Sequence, residues 1–299
     1  MKFRCPSCLQ GTVSLDEIDA AGWACPSCEE ISASVDGIPN GLSPEREHYF
    51  ETFCAEYLKI RSSEDGDTND PEHDRARKAR SLRFFEKLIL KRLTAEAAKP
   101  LKILDAGAGN GWFANRVRKL GHEPVALDLL TDSGYALGAC RHYDDGAGRA
   151  FAAVRGELEE IPLADDQFDL VVFNEAFHYA ADYWRALHET RRCLHWGGRV
   201  VIIDTPIFSN WSDGEAMVEQ LHRESEQRHG FRADSVPSMG YLSLDMLQRL
   251  GRDLNIEWHF HRPWYGWGEY VETIRSRLPG GSHEAMRWIV EGSWPTAVT

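Results

Sequence analysis

Nowhere in its 299 residues does this chain run apolar for the about eighteen positions that a membrane-crossing helix needs, so no membrane span is expected. The opening Met1-Lys2-Phe3-Arg4-Cys5 also lacks the apolar run of a secretory leader, which points to a cytoplasmic protein. Positive charge is in short supply: 34 Lys and Arg face 47 Asp and Glu, for a formal net charge of -13. That balance disfavours a nucleic-acid partner, because binding a polyanion depends on clustered cations that displace counterions. A basic face can still sit within an acidic total. The one dense run, Arg75-Ala76-Arg77-Lys78-Ala79-Arg80, reads more simply as a helix face balanced by the acids before it. With 42% hydrophobic residues and no internal repeat, the chain can bury one full core and carry a small appendage.

A disulfide framework is missing too. Of seven cysteines, Cys54, Cys140 and Cys193 are scattered singly, and four form the tight pairs Cys5-Pro6-Ser7-Cys8 and Cys25-Pro26-Ser27-Cys28. This arrangement suits metal in a reducing compartment better than cross-links. Each C-P-x-C turn offers two sulfurs, the hairpin between them brings the turns together, and four thiolates suit tetrahedral zinc. With all four positions taken by cysteine, the site is closed and structural. Residues 1–42 are expected to form a zinc ribbon, a unit too small to fold without its metal.

What the chain does have is Leu104-Asp105-Ala106-Gly107-Ala108-Gly109-Asn110-Gly111, an apolar strand ending at an acid and passing through three alternate glycines into a helix. Glycines let backbone approach a ligand closely, and the helix N-terminus beyond offers free N–H groups. A dinucleotide site needs its third glycine three residues after the second, whereas Gly111 follows Gly109 by two. Asp128 ends the next apolar strand, at the offset where an acid accepts ribose hydroxyl protons. The D-x-G-x-G-x-G pattern resembles motif I of class I S-adenosylmethionine-dependent methyltransferases, of the methyltransferase type 11 or ubiquinone-menaquinone methyltransferase-like kind. Arg155-Gly156-Glu157 to Phe168-Asp169 is similar to a second segment of that family, with Glu157 standing where the family usually has Asp.

That resemblance implies an S-adenosylmethionine site. Gly107, Gly109 and Gly111, with Ala108 between them, frame the amino-acid end, Asp105 organises the turn and the amino group, Asp128 holds the ribose, Leu129 and Leu130 lie beside the adenine or belong to the core, Glu157 accepts from the adenine amino group with Leu158 next to it in the cofactor site, and Asn174 lines the methionine end. It also implies the fold class: α/β, a doubly wound, seven-stranded, mostly parallel sheet of the Rossmann-like methyltransferase kind, with the zinc ribbon in front. Val35-Asp36-Gly37-Ile38-Pro39-Asn40-Gly41-Leu42 resembles the tail of small zinc-ribbon proteins that associate with some methyltransferases.

The remaining chain reads as a helical N-terminal cap at 43–100 and the cofactor-binding domain at 101–299, with an insertion at 205–240. Two amphipathic helices in the cap flank a wholly polar break at 61–71. Strands are predicted at 101–105, 124–128, 151–154, 168–173 and 199–204, with helices at 112–120, 133–141 and 181–194, the last stopped by Gly197-Gly198. A helix near 243–250, strands at 256–261 and 264–270, and from about 279 a helix with a loose tail complete the reading.

Methyl transfer needs alignment and sometimes a base. His178, after the fourth strand, is a candidate general base or else a packing histidine; Asp204 is a second candidate or a loop cap. Trp258, His259, Phe260, His261, Trp264, Tyr265, Trp267 and Tyr270, with Tyr49 and Tyr57, are core or the wall of an apolar acceptor pocket. The chain lacks the Asn-Pro-Pro-Tyr and Pro-Cys motifs of base-modifying methyltransferases. The expected activity is O-, N- or C-methylation of a small or lipophilic metabolite. Two alternatives are a ribosomal RNA guanine methyltransferase reading RNA through its ribbon, and a non-catalytic cofactor-binding scaffold.

Overall fold

The computed structural model describes residues 1–19, 22–64, 71–144, 149–263 and 285–295. Seven strands make the central sheet: β1 (Lys102–Ala106), β2 (Glu123–Asp128), β3 (Ala152–Arg155), β4 (Phe168–Asn174), β5 (Leu194–Ile203), β6 (Glu257–His261) and β7 (Ile289–Ser293). Their spatial order is β3-β2-β1-β4-β5-β7-β6. Strands β1 to β5 pair in parallel, and β7 enters antiparallel between β5 and β6. This is the doubly wound, mostly parallel sheet the sequence predicts. The unbroken apolar runs Leu170-Val171-Val172-Phe173 and Val200-Val201-Ile202-Ile203 are fully buried, as strands covered on both faces require.

Helices supply both covers. On one face Phe85, Ile89 and Leu93 pack with Phe113 and Val117 of α4 (Trp112–Lys119) against Ile103, Val172 and Val201. On the other, Tyr183 and Leu187 of α5 (Tyr183–Cys193) and Leu247 and Leu250 of α7 (Leu244–Leu254) pack on Leu104, Val171 and Val200. The predicted cap therefore divides. Its first helix, α1 (Pro44–Glu64), lies over the carboxyl ends of the strands, while α2 (Pro71–Phe84), a π-helical turn (Phe85–Leu90) and α3 (Lys91–Ala97) lead into a layer of the core. The insertion contributes α6 (Trp211–His229), bonded to α1 from Lys59 Nζ to the His229 carbonyl.

Residues 1–42 fold as three short hairpins. Phe3 is fully buried in the main core and bridges Leu163, and Gly41 N donates to the Arg155 carbonyl at the sheet edge.

Three local expectations are corrected. The predicted helix at 133–141 is instead a 3-10 segment, Leu137–Tyr143, because Asp132 Oδ1 accepts from Gly134 N and Tyr135 N and holds a turn that competes with helix. Gly197-Gly198 does not stop a helix: α5 ends at Cys193, and the glycines lie inside β5 where the register slips, Phe168 facing Leu194 but Leu170 facing Arg199. The predicted C-terminal helix and tail contain a core strand, β7, disguised by its Glu291 and Gly292. Of the two readings of Asp204, second base candidate or loop cap, the structure favours the loop cap: the side chain is 2% exposed and accepts from Ser81 Oγ. The predicted strand at 264–270, with Trp264, Tyr265, Trp267 and Tyr270, lies outside the described residues, as does 65–70 of the polar break.

Candidate functional site

Strand order reverses between β1 and β4, so the connections leave in opposite directions and open a crevice at the strands' carboxyl ends. A cavity of about 500 Å³ occupies it. Asp105, Gly107, Ala108, Gly109, Asp128, Leu129, Glu157, Leu158 and Asn174 all line this cavity. They come from four places in the chain and reach one space because β3, β2, β1 and β4 end side by side.

The glycine turn is held from below, Gly107 N and Ala108 N both donating to the Leu127 carbonyl at 2.8 and 2.9 Å. Gly107 sits at φ 78°, and a Cβ there would lie 2.3 Å from the Ala176 Cβ. Gly111 is the one predicted site residue of the turn that does not line the cavity. At φ 72° it starts α4, and a Cβ would meet Cys140 Sγ at 2.5 Å, so glycine is needed there for packing.

Asp105 carries the strongest chemical signal. It is 1% exposed; Oδ2 accepts from Ala114 N at 3.0 Å, while Oδ1 has no partner among the described residues. Burial, with a smaller push from the charge of Asp128, raises its pKa from 3.8 to about 8. A buried, orphaned carboxyl oxygen at the edge of an open cavity suits a cationic donor. Asp128 is also shifted upward by burial, although Oδ1 accepts from Leu130 N and Oδ2 from Gly109 N.

Glu157 is buried, and Arg46 of α1 forks onto it, Nε to Oε1 at 2.7 Å and Nη2 to Oε2 at 2.5 Å. The Arg46 guanidinium also lies 4.5 Å from the Tyr49 ring and 4.8 Å from that of Phe50. No local sequence signal marks Arg46, which is 111 residues from its partner. A carboxylate retains lone pairs beyond those two bonds, so Glu157 can still accept from a ligand.

The opposite wall is built by Phe53, Tyr57 and Arg61 of α1, Lys78 of α2, and Glu175 and Tyr179 after β4. Glu175 takes φ 55° and pairs with Lys78 Nζ at 2.7 Å. Its place beside Asn174 at the strand end is a signal that sequence reading had within reach. His178 is not among the lining residues: its Nδ1 lies 3.5 Å from Thr205 Oγ1, and burial lowers its pKa to about 4. Trp258 to His261 lie on edge strand β6, away from the cavity, with Trp258 Nε1 on the Leu247 carbonyl and His261 Nε2 on Glu291. Of the two tyrosines on α1, Tyr57 lines the cavity and Tyr49 does not.

In the N-terminal unit the sulfurs of Cys5, Cys8, Cys25 and Cys28 lie within 4.8 Å of one another. The Cys5–Cys28 and Cys8–Cys25 separations are both 3.7 Å, as expected around a tetrahedral ion with metal–sulfur bonds of about 2.3 Å. The two turns repeat one geometry: Leu9 and Glu29 take positive φ and donate from N to the Cys5 and Cys25 carbonyls. The donor set fits zinc. No helix among the described residues is long and apolar enough to cross a membrane.

Residues 104–202 match the family model of a methyltransferase domain. Among curated proteins, the chain is 36% identical over 122 residues to a malonyl-[acyl-carrier protein] O-methyltransferase of Erwinia pyrifoliae, covering 40% of this chain and 42% of the relative. It is 37% identical over 108 residues to the same enzyme of Geobacter sulfurreducens, covering 36% and 39%. The chain thus spans about two fifths of the length of these relatives. A solved structure of a 1,6-didemethyltoxoflavin-N1-methyltransferase from Burkholderia thailandensis superposes with a TM-score of 0.50 at 16% identity, covering 83% of this chain and 90% of that one, a likeness of fold.

Proposed function

We propose that this chain is an S-adenosylmethionine-dependent methyltransferase acting on a small or lipophilic metabolite, with a structural zinc in its N-terminal ribbon. The observation that carries the reading is the unpartnered Oδ1 of Asp105 beside a glycine turn, in a cavity that also gathers Asp128 and Glu157. When bound, S-adenosylmethionine supplies a methyl group on a positively charged sulfur. Asp105 Oδ1 accepts from the ammonium of its amino-acid end, and the turn from Gly107 to Gly109 leaves room for that end against the backbone. Asp128 accepts from the ribose hydroxyls, Glu157 from the exocyclic amine of adenine, and Leu129 and Leu158 cover the ring. Asn174 borders the methionine end. His178, off the wall and bonded toward Thr205, has a packing role in this reading.

The curated relatives' name specifies a malonyl thioester of a carrier protein, but the matched domain ends at residue 202, before α6, and begins after α1. The acceptor wall therefore lies largely outside the match. Isothermal calorimetry with S-adenosylhomocysteine and, separately, NADH tests the cofactor assignment. We expect saturable binding of the first at micromolar concentration and none of the second; NADH binding with no response to S-adenosylhomocysteine overturns the reading.

A further inference from the structure

Two neighbouring residues of α1, opposite in charge, grip the loop after β3. Arg46 forks onto Glu157, Nε to Oε1 and Nη2 to Oε2, while Glu47 Oε1 accepts from Arg155 Nη1 and, at 3.0 Å, from Asn40 Nδ2. The two pairs straddle Gly156, which lines the cavity. Arg155 is held further: its Nε donates to the Leu129 carbonyl at 3.1 Å, and its own carbonyl accepts from Gly41 N at 2.8 Å. Residues 155–157 are thereby fixed from α1, from the end of β2 and from the N-terminal unit.

Arg46 does not itself line the cavity. Its charge reaches the cavity through Glu157, which does, and its guanidinium lies 4.8 Å from the ring of Phe50, another lining residue. The Glu157 side chain is 5% exposed and that of Arg46 33%, so the acid is buried behind a cation that stays at the rim. A buried carboxylate is costly without such a partner. Once ion-paired it only accepts: the fork takes one lone pair on each oxygen and sets the carboxylate plane, leaving capacity for a ligand N–H and nothing to donate to a ligand carbonyl. Glu159, another acid of this loop on the cavity wall, has its Oε1 committed to Ala181 N and Asp182 N.

We infer that Arg46 is a positioning residue that sets the base specificity of the site. By holding Glu157 charged and in one plane, it makes the cavity select a purine with an amine at position 6 over one with an oxo group. This deepens the cofactor assignment above and rests on it. A 6-amino base gives the carboxylate a donor. A 6-oxo base sets oxygen against oxygen at that position. Without Arg46 the buried carboxyl turns away or takes up a proton, and a protonated carboxyl donates to an oxo group as well as accepting from an amine. Selectivity is then lost even where binding persists.

Calorimetry with the full chain compares S-adenosylhomocysteine with S-inosylhomocysteine, whose bases carry an amine and an oxo group. Binding of the first by the unaltered protein is measured at the start. Failure of the cofactor assignment shows there, whereas failure of the specificity inference shows in the ratio of the two affinities. The amine is expected to bind about a hundredfold more tightly. Arg46→Gln is expected to cut that ratio below about threefold, and Arg46→Lys, which keeps the charge without the fork, to leave about tenfold. If Arg46→Gln does not fold, the fall in Arg46→Lys decides. Glu47→Gln breaks the neighbouring pair on the same helix and is expected to weaken both ligands alike, with the ratio intact. In a Glu157→Gln background, Arg46→Gln is expected to change the ratio no further. Equal binding of the two ligands by the unaltered protein, a ratio that survives replacement of Arg46, or one that falls as far in Glu47→Gln overturns the inference.

Discussion

At the scale of single residues, the cofactor assignment turns on one carboxyl group. Asp105 keeps its proton up to about pH 8 in the folded chain and releases it near 3.8 when exposed. Between those values the folded state holds the extra proton, so stability falls as pH rises through that window. Asp105→Asn should flatten that slope while weakening S-adenosylhomocysteine by about ten- to a hundredfold, the worth of a hydrogen bond to a charged group. A bound ammonium reverses the shift. At pH 7 binding should therefore release close to one proton, measured as calorimetric heats that depend on the buffer's ionisation enthalpy. Heats that do not depend on buffer contradict this role. Asp105, the glycines and Asp128 were readable in sequence because their roles are written into one strand end and one turn. Arg46 and Arg61 were not, since each acts on the site through α1, and only folding brings that helix over the sheet.

Elements show where local pattern and tertiary demand part company. Strands β1 to β5 announce themselves as apolar runs. Strand β7 does not, because its buried Glu291 is paired with the Arg92 guanidinium and hydrogen-bonded with His261, two partners remote in sequence. The same distinction separates the glycines of the turn, which look alike in the motif. A Cβ at Gly109 meets nothing nearer than the Tyr135 carbonyl at 3.7 Å, whereas one at Gly111 strikes Cys140 and Phe151. Gly109→Ala should cost about 1 kcal/mol from its left-handed backbone alone. Gly111→Ala should cost about 3 kcal/mol, since overpacking adds to the same strain. Urea midpoints of the two variants decide the ranking, and the reverse order refutes the division of labour between ligand approach and helix start.

For the whole molecule, the N-terminal unit is tied to the sheet at both ends. Phe3 is buried in the main core beside Leu163, Arg4 N donates to the Pro162 carbonyl, and Gly41 N donates to that of Arg155. The loop that carries Glu157 thus runs between two anchors of residues 1–42. If the four cysteines hold a structural metal, stripping it with a strong chelator should lower the main thermal transition, because the withdrawal of Phe3 leaves a cavity worth about 3 to 5 kcal/mol. Scanning calorimetry of chelated and zinc-restored protein reads this, and an unchanged main transition would show that the unit is an independent appendage. The cysteine spacing made a small four-cysteine unit legible, but the depth of its attachment rests on one phenylalanine that sequence alone reads as any other apolar residue. The central claim concerns the crevice between β1 and β4, and the most direct measurement is a titration of backbone amide resonances with S-adenosylhomocysteine. Shifts concentrated at Gly107 to Gly109, Asp128 to Leu130 and Gly156 to Leu158, with residues 5 to 28 unmoved, are the predicted result. A saturating titration that leaves those amides in place contradicts the account.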